Sequence, residues 1–128
     1  MNSALIVDSD PGFLFWLGGM LGVLDAPCCP ARSIPEALDR LESDGFVPEL
    51  IIVNPALPGA AEFVHEIRGT RGHLPIIAAI EPAAEMRPGL DRYDVVQPKP
   101  AVPDEEAASQ WMEVIRRALA GTPVQPTE

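Results

Sequence analysis

The side chains of this 128-residue chain that could do chemistry stand where apolar runs stop. Ala4-Leu5-Ile6-Val7 runs into Asp8-Ser9-Asp10, Leu50-Ile51-Ile52-Val53 runs into a single amide, Asn54, and Lys99 sits between Pro98 and Pro100. Carboxylates suit hard cations or ion pairs, whereas an amide is a hydrogen-bonding group and no nucleophile. Asp8, Asp10, Asn54 and Lys99 could therefore line a crevice for a small anion, a nucleotide or a cation. No glycine-rich phosphate loop accompanies them, and one lysine is a thin basis for holding phosphate. Cys28 and Cys29 are adjacent, flanked by Pro27 and Pro30. A vicinal disulfide is strained and two thiols are too few for structural zinc, so two reduced thiols in or beside a short strand are expected, with thiol redox chemistry as the alternative. His65 and His73 have no partnered residues in the sequence; they read as a helix histidine, on the surface or in the core, and a loop histidine.

Positioning these groups requires a sheet. An apolar run bounded by Pro48 and Pro55 fits a strand buried on both faces, and such a strand delivers its carboxyl end to the edge of a crevice in an open α/β sheet. Strands are expected at 4–7, 26–31, 50–53, 75–80 and 93–97. The second, interrupted by proline, suits an edge. Between them the pattern predicts a charge-free helix from Phe13 to Leu24, apolar on nearly every face and weakened by Gly18, Gly19 and Gly22. Ser33 caps a helix reaching about Ser43, with Ile34, Leu38 and Leu41 on one face and Glu36 in the capping-box position. A helix from Ala60 to Arg68 turns Phe63, Val64 and Ile67 inward, and 82–90 reads as a short helix or loop. The last helix, Pro103 to Ala120, places Glu105 and Glu106 early and Arg116 and Arg117 late, as the helix dipole prefers. Gly121 and Pro123 stop it. Strands alternating with helices give a doubly wound, five-stranded parallel sheet, a three-layer sandwich with one domain over 1–121 and a flexible tail over 122–128.

The bulk numbers narrow the function. A formal net charge of -10 with nine scattered Lys and Arg argues against nucleic acid, which needs clustered cations. No apolar run is long enough to span a bilayer, and the amino terminus lacks the charged opening of a signal peptide. A soluble, cytoplasmic protein is expected, and its 47% hydrophobic content separates it from acidic disordered chains.

The order of these markers resembles the receiver domain of bacterial two-component response regulators over essentially the whole chain. Ile6-Val7-Asp8-Ser9-Asp10-Pro11 resembles that family's acidic first-strand end, and Pro48 to Asn54 its phosphoacceptor strand. Leu57-Pro58-Gly59, Leu74-Pro75-Ile76-Ile77 and Lys99-Pro100 resemble the loop that follows, strand four and the lysine-proline turn. The resemblance implies a CheY-like, flavodoxin-like sheet of order 2-1-3-4-5 and a cis Lys99-Pro100 peptide bond. It also implies autophosphorylation of an aspartate with magnesium, and here the residues depart from the pattern. Asn54 occupies the acceptor position and Ser9 the second acidic position, with Asp10 able to replace it only by turning inward. Ile80 and Val96 occupy the switch hydroxyl and switch aromatic positions, and of the phosphate-binding set Lys99 alone remains.

The reading that follows is a degenerate pseudo-receiver. It is not an enzyme and holds no metal or cofactor, magnesium binding being doubtful with so few carboxylates. In this reading Asn54 is a hydrogen-bonding plug, Lys99 pairs with Asp8 or Asp10, and Glu81 is a solvated surface residue by default that could also reach Lys99. Function then passes to the helix surfaces, as a protein-protein interaction module of signal transduction, either a stand-alone adaptor or a piece of a longer protein. Phe13, Phe15, Trp16, Met20 and Leu21 cannot all face one sheet, so the first helix, extended by Trp111 and Met112 of the last, is the candidate interface for a partner or a second copy. The alternative is that they fill the seam between those helices.

Overall fold

A computed structural model describes residues 3–43, 46–81 and 92–120. Five parallel strands, β1 (Ala4–Val7), β2 (Cys28–Ala31), β3 (Leu50–Val53), β4 (Ile76–Ile80) and β5 (Val95–Pro98), form one sheet in the order β2-β1-β3-β4-β5. The helices are α1 (Pro11–Val23), α2 (Ile34–Glu42), α3 (Ala60–Thr70) and α4 (Glu105–Leu119). The expected segment at 82–90 and the expected tail at 122–128 lie outside the described residues.

Every residue of β1 and β3 is fully buried because the sheet is covered on both faces, which explains why these strands are continuous apolar runs without alternation. The period of two still operates within them. Ala4, Ile6, Leu50 and Ile52 join α1 and α4 in one core layer, while Leu5, Val7, Ile51 and Val53 join α2 and α3 in the other.

Local chemistry sets the helix starts. Asp10 accepts from the backbone N–H groups of Gly12 (3.0 Å) and Phe13 (3.4 Å), and Ser33 accepts from Glu36 (3.3 Å). The Glu36 carboxylate reaches back to the N–H of Arg32, one residue before the cap. Asp104 caps α4 by accepting from Ala107, so that helix begins two residues later than Pro103 suggests. α3 follows Gly59, whose φ of 85° is the left-handed backbone that glycine enters without strain.

The packing of α1 decides between the two readings of its apolar residues. Phe13, Leu17, Met20 and Leu21 recur at helical spacing and turn into the core, and Trp111 of α4 is buried against them. Phe13, Met20 and Trp111 are thus removed from the expected interface, and Trp16 and Met112 are half-buried against the same cluster. The reason is that α4 lies on the same sheet face as α1 and needs a partner for its own apolar stripe. Leu21 is fully buried as well, and Phe15 alone of the seven stays outside, 86% exposed. The Trp111 ring meets Phe13 edge-on at 5.6 Å, and its indole N–H donates to the Pro98 carbonyl at 3.1 Å. Trp111→Phe keeps an aromatic ring against Phe13 but removes the N–H donor and leaves a void where the rest of the indole was, for an expected loss of about 2–3 kcal/mol in urea unfolding.

Candidate functional site

The parallel ladder continues one residue past each strand. The N–H of Asp8 donates to the Ala31 carbonyl (3.0 Å), that of Asn54 to Val7 (3.0 Å) and that of Lys99 to Ile80 (2.7 Å). Val7 is in register with Val53, and Ile80 with Pro98, so the next residues, Asp8, Asn54, Glu81 and Lys99, come together at the carboxyl edge. The chain winds outward to β2 on one side of β1 and to β3 on the other, making this edge the switch point at which open α/β sheets form their crevice.

Among the described residues Asp8, Asn54 and Lys99 are the buried polar ones, at 1%, 5% and 5% exposure. The Lys99 ammonium lies 3.1 Å from Asp8 Oδ2, 2.9 Å from Glu81 Oε2 and 3.6 Å from Asp10 Oδ2, with the Phe13 ring centroid 5.0 Å away. Burial alone would push its pKa down, but the hydrogen bonds and charges of Glu81 and Asp8 outweigh that and hold it above the ordinary 10.5. It is a fixed cation at neutral pH and not a nucleophile. Asn54 donates through Nδ2 to Glu81 Oε2 (3.1 Å) and Asp8 Oδ2 (3.4 Å), and its Oδ1 accepts from the Ala56 N–H (2.9 Å). Asp8 Oδ1 also accepts from the Asp10 N–H at 2.9 Å. Among the described residues no buried side-chain nitrogen or oxygen lacks a partner.

The site therefore contains its own counter-ion. Three carboxylates surround one ammonium, and the amide bridges two of them. The ammonium takes up the carboxylates a metal would need, Asp10 spends Oδ1 on the α1 cap, and among the described residues no group of three His, Cys, Asp or Glu converges to hold an ion. Ser9 is exposed, Ile80 closes β4 beside Pro98 and Val96 pairs with Ala78, both half-buried.

Glu81 is the participant that sequence reasoning left on the surface. It is half exposed, yet it bonds both Asn54 and Lys99. The signal that finds it is positional: it is the first residue after a buried parallel strand, as are Asp8 and Asn54. Phe13, a candidate interface residue in the sequence, lies against Lys99 instead. The expected cis bond at Lys99-Pro100 is not present; every peptide bond among the described residues is trans, the isomer an X–Pro bond favours by about 0.5–1 kcal/mol. His65 is exposed on α3 with Nδ1 3.4 Å from Arg92 Nη1, and His73 is exposed in the loop that enters β4, at the opposite edge of the sheet. Neither approaches the crevice.

Cys28 and Cys29 are free and half-buried on edge strand β2. Cys28 packs on the α1 side of the sheet and Cys29 on the α2 side. Strand alternation thus points the two thiols to opposite faces, so a bond between them would require unmaking the strand. Burial, then the neighbouring Cys29, pushes the Cys28 thiol up and away from the reactive thiolate.

No protein-family model and no curated protein matches the chain. Solved structures do. A CheY-like response regulator receiver domain protein from Methanospirillum hungatei superposes with a TM-score of 0.74 at 20% identity, covering 94% of this chain and 94% of that one. The non-phosphorylated HemR receiver domain from Leptospira biflexa gives 0.75 at 18% identity over 100% of both chains. The response regulator TrrA from Thermotoga maritima, in complex with Mg(2+)-BeF, gives 0.74 at 22% identity over 92% of this chain and 99% of that one. The chain has the fold of a receiver domain. The expected strand order is met in full, and at these identities the likeness speaks for the receiver fold alone.

Proposed function

We propose that this chain is a pseudo-receiver, a phosphorylation-independent interaction module of two-component signalling. The observation that carries the reading is Asn54 at the acceptor position, held as an amide between Asp8 and Glu81 beside an ammonium that already neutralises the crevice. An amide provides no carboxylate to form an acyl phosphate. Nor does the chain regenerate one by cyclisation, because succinimide formation needs the next backbone N–H and residue 55 is proline. The apolar Ile80 and Val96 leave no hydroxyl or aromatic ring to report phosphorylation. A small-ligand crevice is less well supported, since the polar groups that would grip a ligand grip one another.

A protein partner is supported by the fold's use elsewhere: TrrA is also known in complex with histidine kinase ThkA, and that copy matches with a TM-score of 0.73 at 22% identity. Partners other than nucleic acid fit the charge of -10, and no helix among the described residues is long and apolar enough to cross a membrane. The soluble, cytoplasmic location and the non-enzymatic role belong to this reading.

The test is incubation of the intact protein with acetyl phosphate and magnesium, followed by mass spectrometry. The expected result is an unchanged mass; a gain of one phosphoryl group would overturn the reading.

A further inference from the structure

The outer face of α1 is unlike any other helical surface among the described residues. The helix has no charged or polar side chain in thirteen residues, and the core takes only one side of it. Facing solvent are Phe15 (86% exposed), Gly19, Gly22 and Val23 (75% exposed), with half-buried Trp16 beside them. A Cβ built on Gly19 or Gly22 meets nothing within 4 Å, so neither glycine is demanded by packing inside one copy. Each costs helix stability that its own fold does not repay.

We infer that this face is an isologous interface, covered by the same face of a second copy of the chain, with the two α1 helices antiparallel and crossing at Gly19. The spacing is self-complementary about that residue. Phe15 and Val23 lie four positions to either side, so Phe15 of each copy falls opposite Val23 of the other, about 12 Å from its symmetry mate along the helix. The bulky Trp16 falls opposite Gly22, and Gly19 falls opposite itself, where the missing side chains let the backbones approach. Large groups meet small ones along the whole stripe.

The charges at its ends choose the same occupant. Beside Phe15 the surface carries Arg32 and Arg40, with Glu36 between them turned to the Arg32 backbone. Beyond Val23 lies exposed Asp25. Antiparallel pairing brings the arginines of each copy toward Asp25 of the other, twice by symmetry. For chains that each carry -10, a neutral stripe with complementary ends is where two can meet. The same charge disfavours an anionic membrane surface as the occupant.

This inference gives a partner to the interaction module proposed above, and hydrodynamics tests it apart from any phosphoryl transfer. Sedimentation velocity of the full chain over micromolar to high-micromolar concentration is expected to show a species of twice the 13.7 kDa chain mass. Phe15→Glu should raise the dissociation constant on the order of 100-fold or more, since the contact is lost twice. Gly19→Leu separates fold from interface: with open space at its Cβ it should raise the thermal midpoint of the dilute monomer while abolishing the dimer. Asp25→Asn, which tolerates the φ of 60° there, should weaken association several-fold and reduce its salt dependence. A wild-type chain that stays monomeric throughout, or a dimer indifferent to both Phe15→Glu and Gly19→Leu, would overturn the inference, a different partner for α1 being one consequence of the first outcome.

Discussion

Lys99→Met is expected to lower the free energy of unfolding by about 3–5 kcal/mol near neutral pH, the cost of leaving a buried carboxylate without its partner. The buried partner is Asp8, 1% exposed, whose Oδ2 lies 3.1 Å from the ammonium. Glu81 and Asp10 add little of this, because both are about half exposed and water screens them. Most of the cost is therefore the orphaned Asp8 and not the lost attraction. The double substitution Asp8→Asn with Lys99→Met should recover a large part of the loss. The sign at the alkaline end follows from the raised pKa of Lys99. Its contribution is complete below the unfolded value of 10.5 and is lost as pH climbs through the higher folded value. Urea unfolding of the single and double variants across pH reads all of this. A Lys99→Met midpoint equal to that of wild type would mean that the ammonium does not compensate the crevice.

Asn54→Asp, the substitution that places a carboxylate at the end of β3, is expected to destabilise the protein by about 2–4 kcal/mol without divalent cations. The acceptor role toward Ala56 survives, since Oδ1 remains. Both donations, to Glu81 at 3.1 Å and to Asp8 at 3.4 Å, turn into contacts between like charges. A fourth carboxylate would then share one ammonium. Millimolar magnesium should return part of the lost stability to Asn54→Asp and leave wild type unmoved, because a ligand stabilises only the folded state that has room for it. Thermal unfolding with and without magnesium distinguishes the cases. Equal stability of Asn54→Asp and wild type, or equal gains from magnesium, would show that Asn54 is not the plug of the crevice.

Much of the architecture was legible because a parallel sheet covered on both faces leaves a simple record. Its central strands must be continuous apolar runs, and the first residue past each run is the first that can be polar, as with Asp8 after Val7 and Asn54 after Val53. Ser33 and Glu36 mark the start of α2 through the hydrogen bonds they make. The same rule applied to Ile80 would have placed Glu81 in the site. That glutamate passed for a surface residue because it is only half covered and its partners are 27 and 18 positions away. Sequence spacing holds no trace of a contact made across strand register.

α1 was the least legible element. A helix that is apolar all round has no moment to say which side faces the sheet, so composition could suggest an exposed patch but could not assign it. By itself the sequence determined the order of elements, the carboxyl-edge placement of Asp8, Asn54 and Lys99, and the amide chemistry of position 54, since strand period and side-chain chemistry are local properties. Only the tertiary structure decided that Phe13, Met20 and Trp111 belong to the core and Phe15 to the surface, and that Glu81 completes the clamp on Lys99, because burial and strand register are set by what packs from elsewhere in the chain.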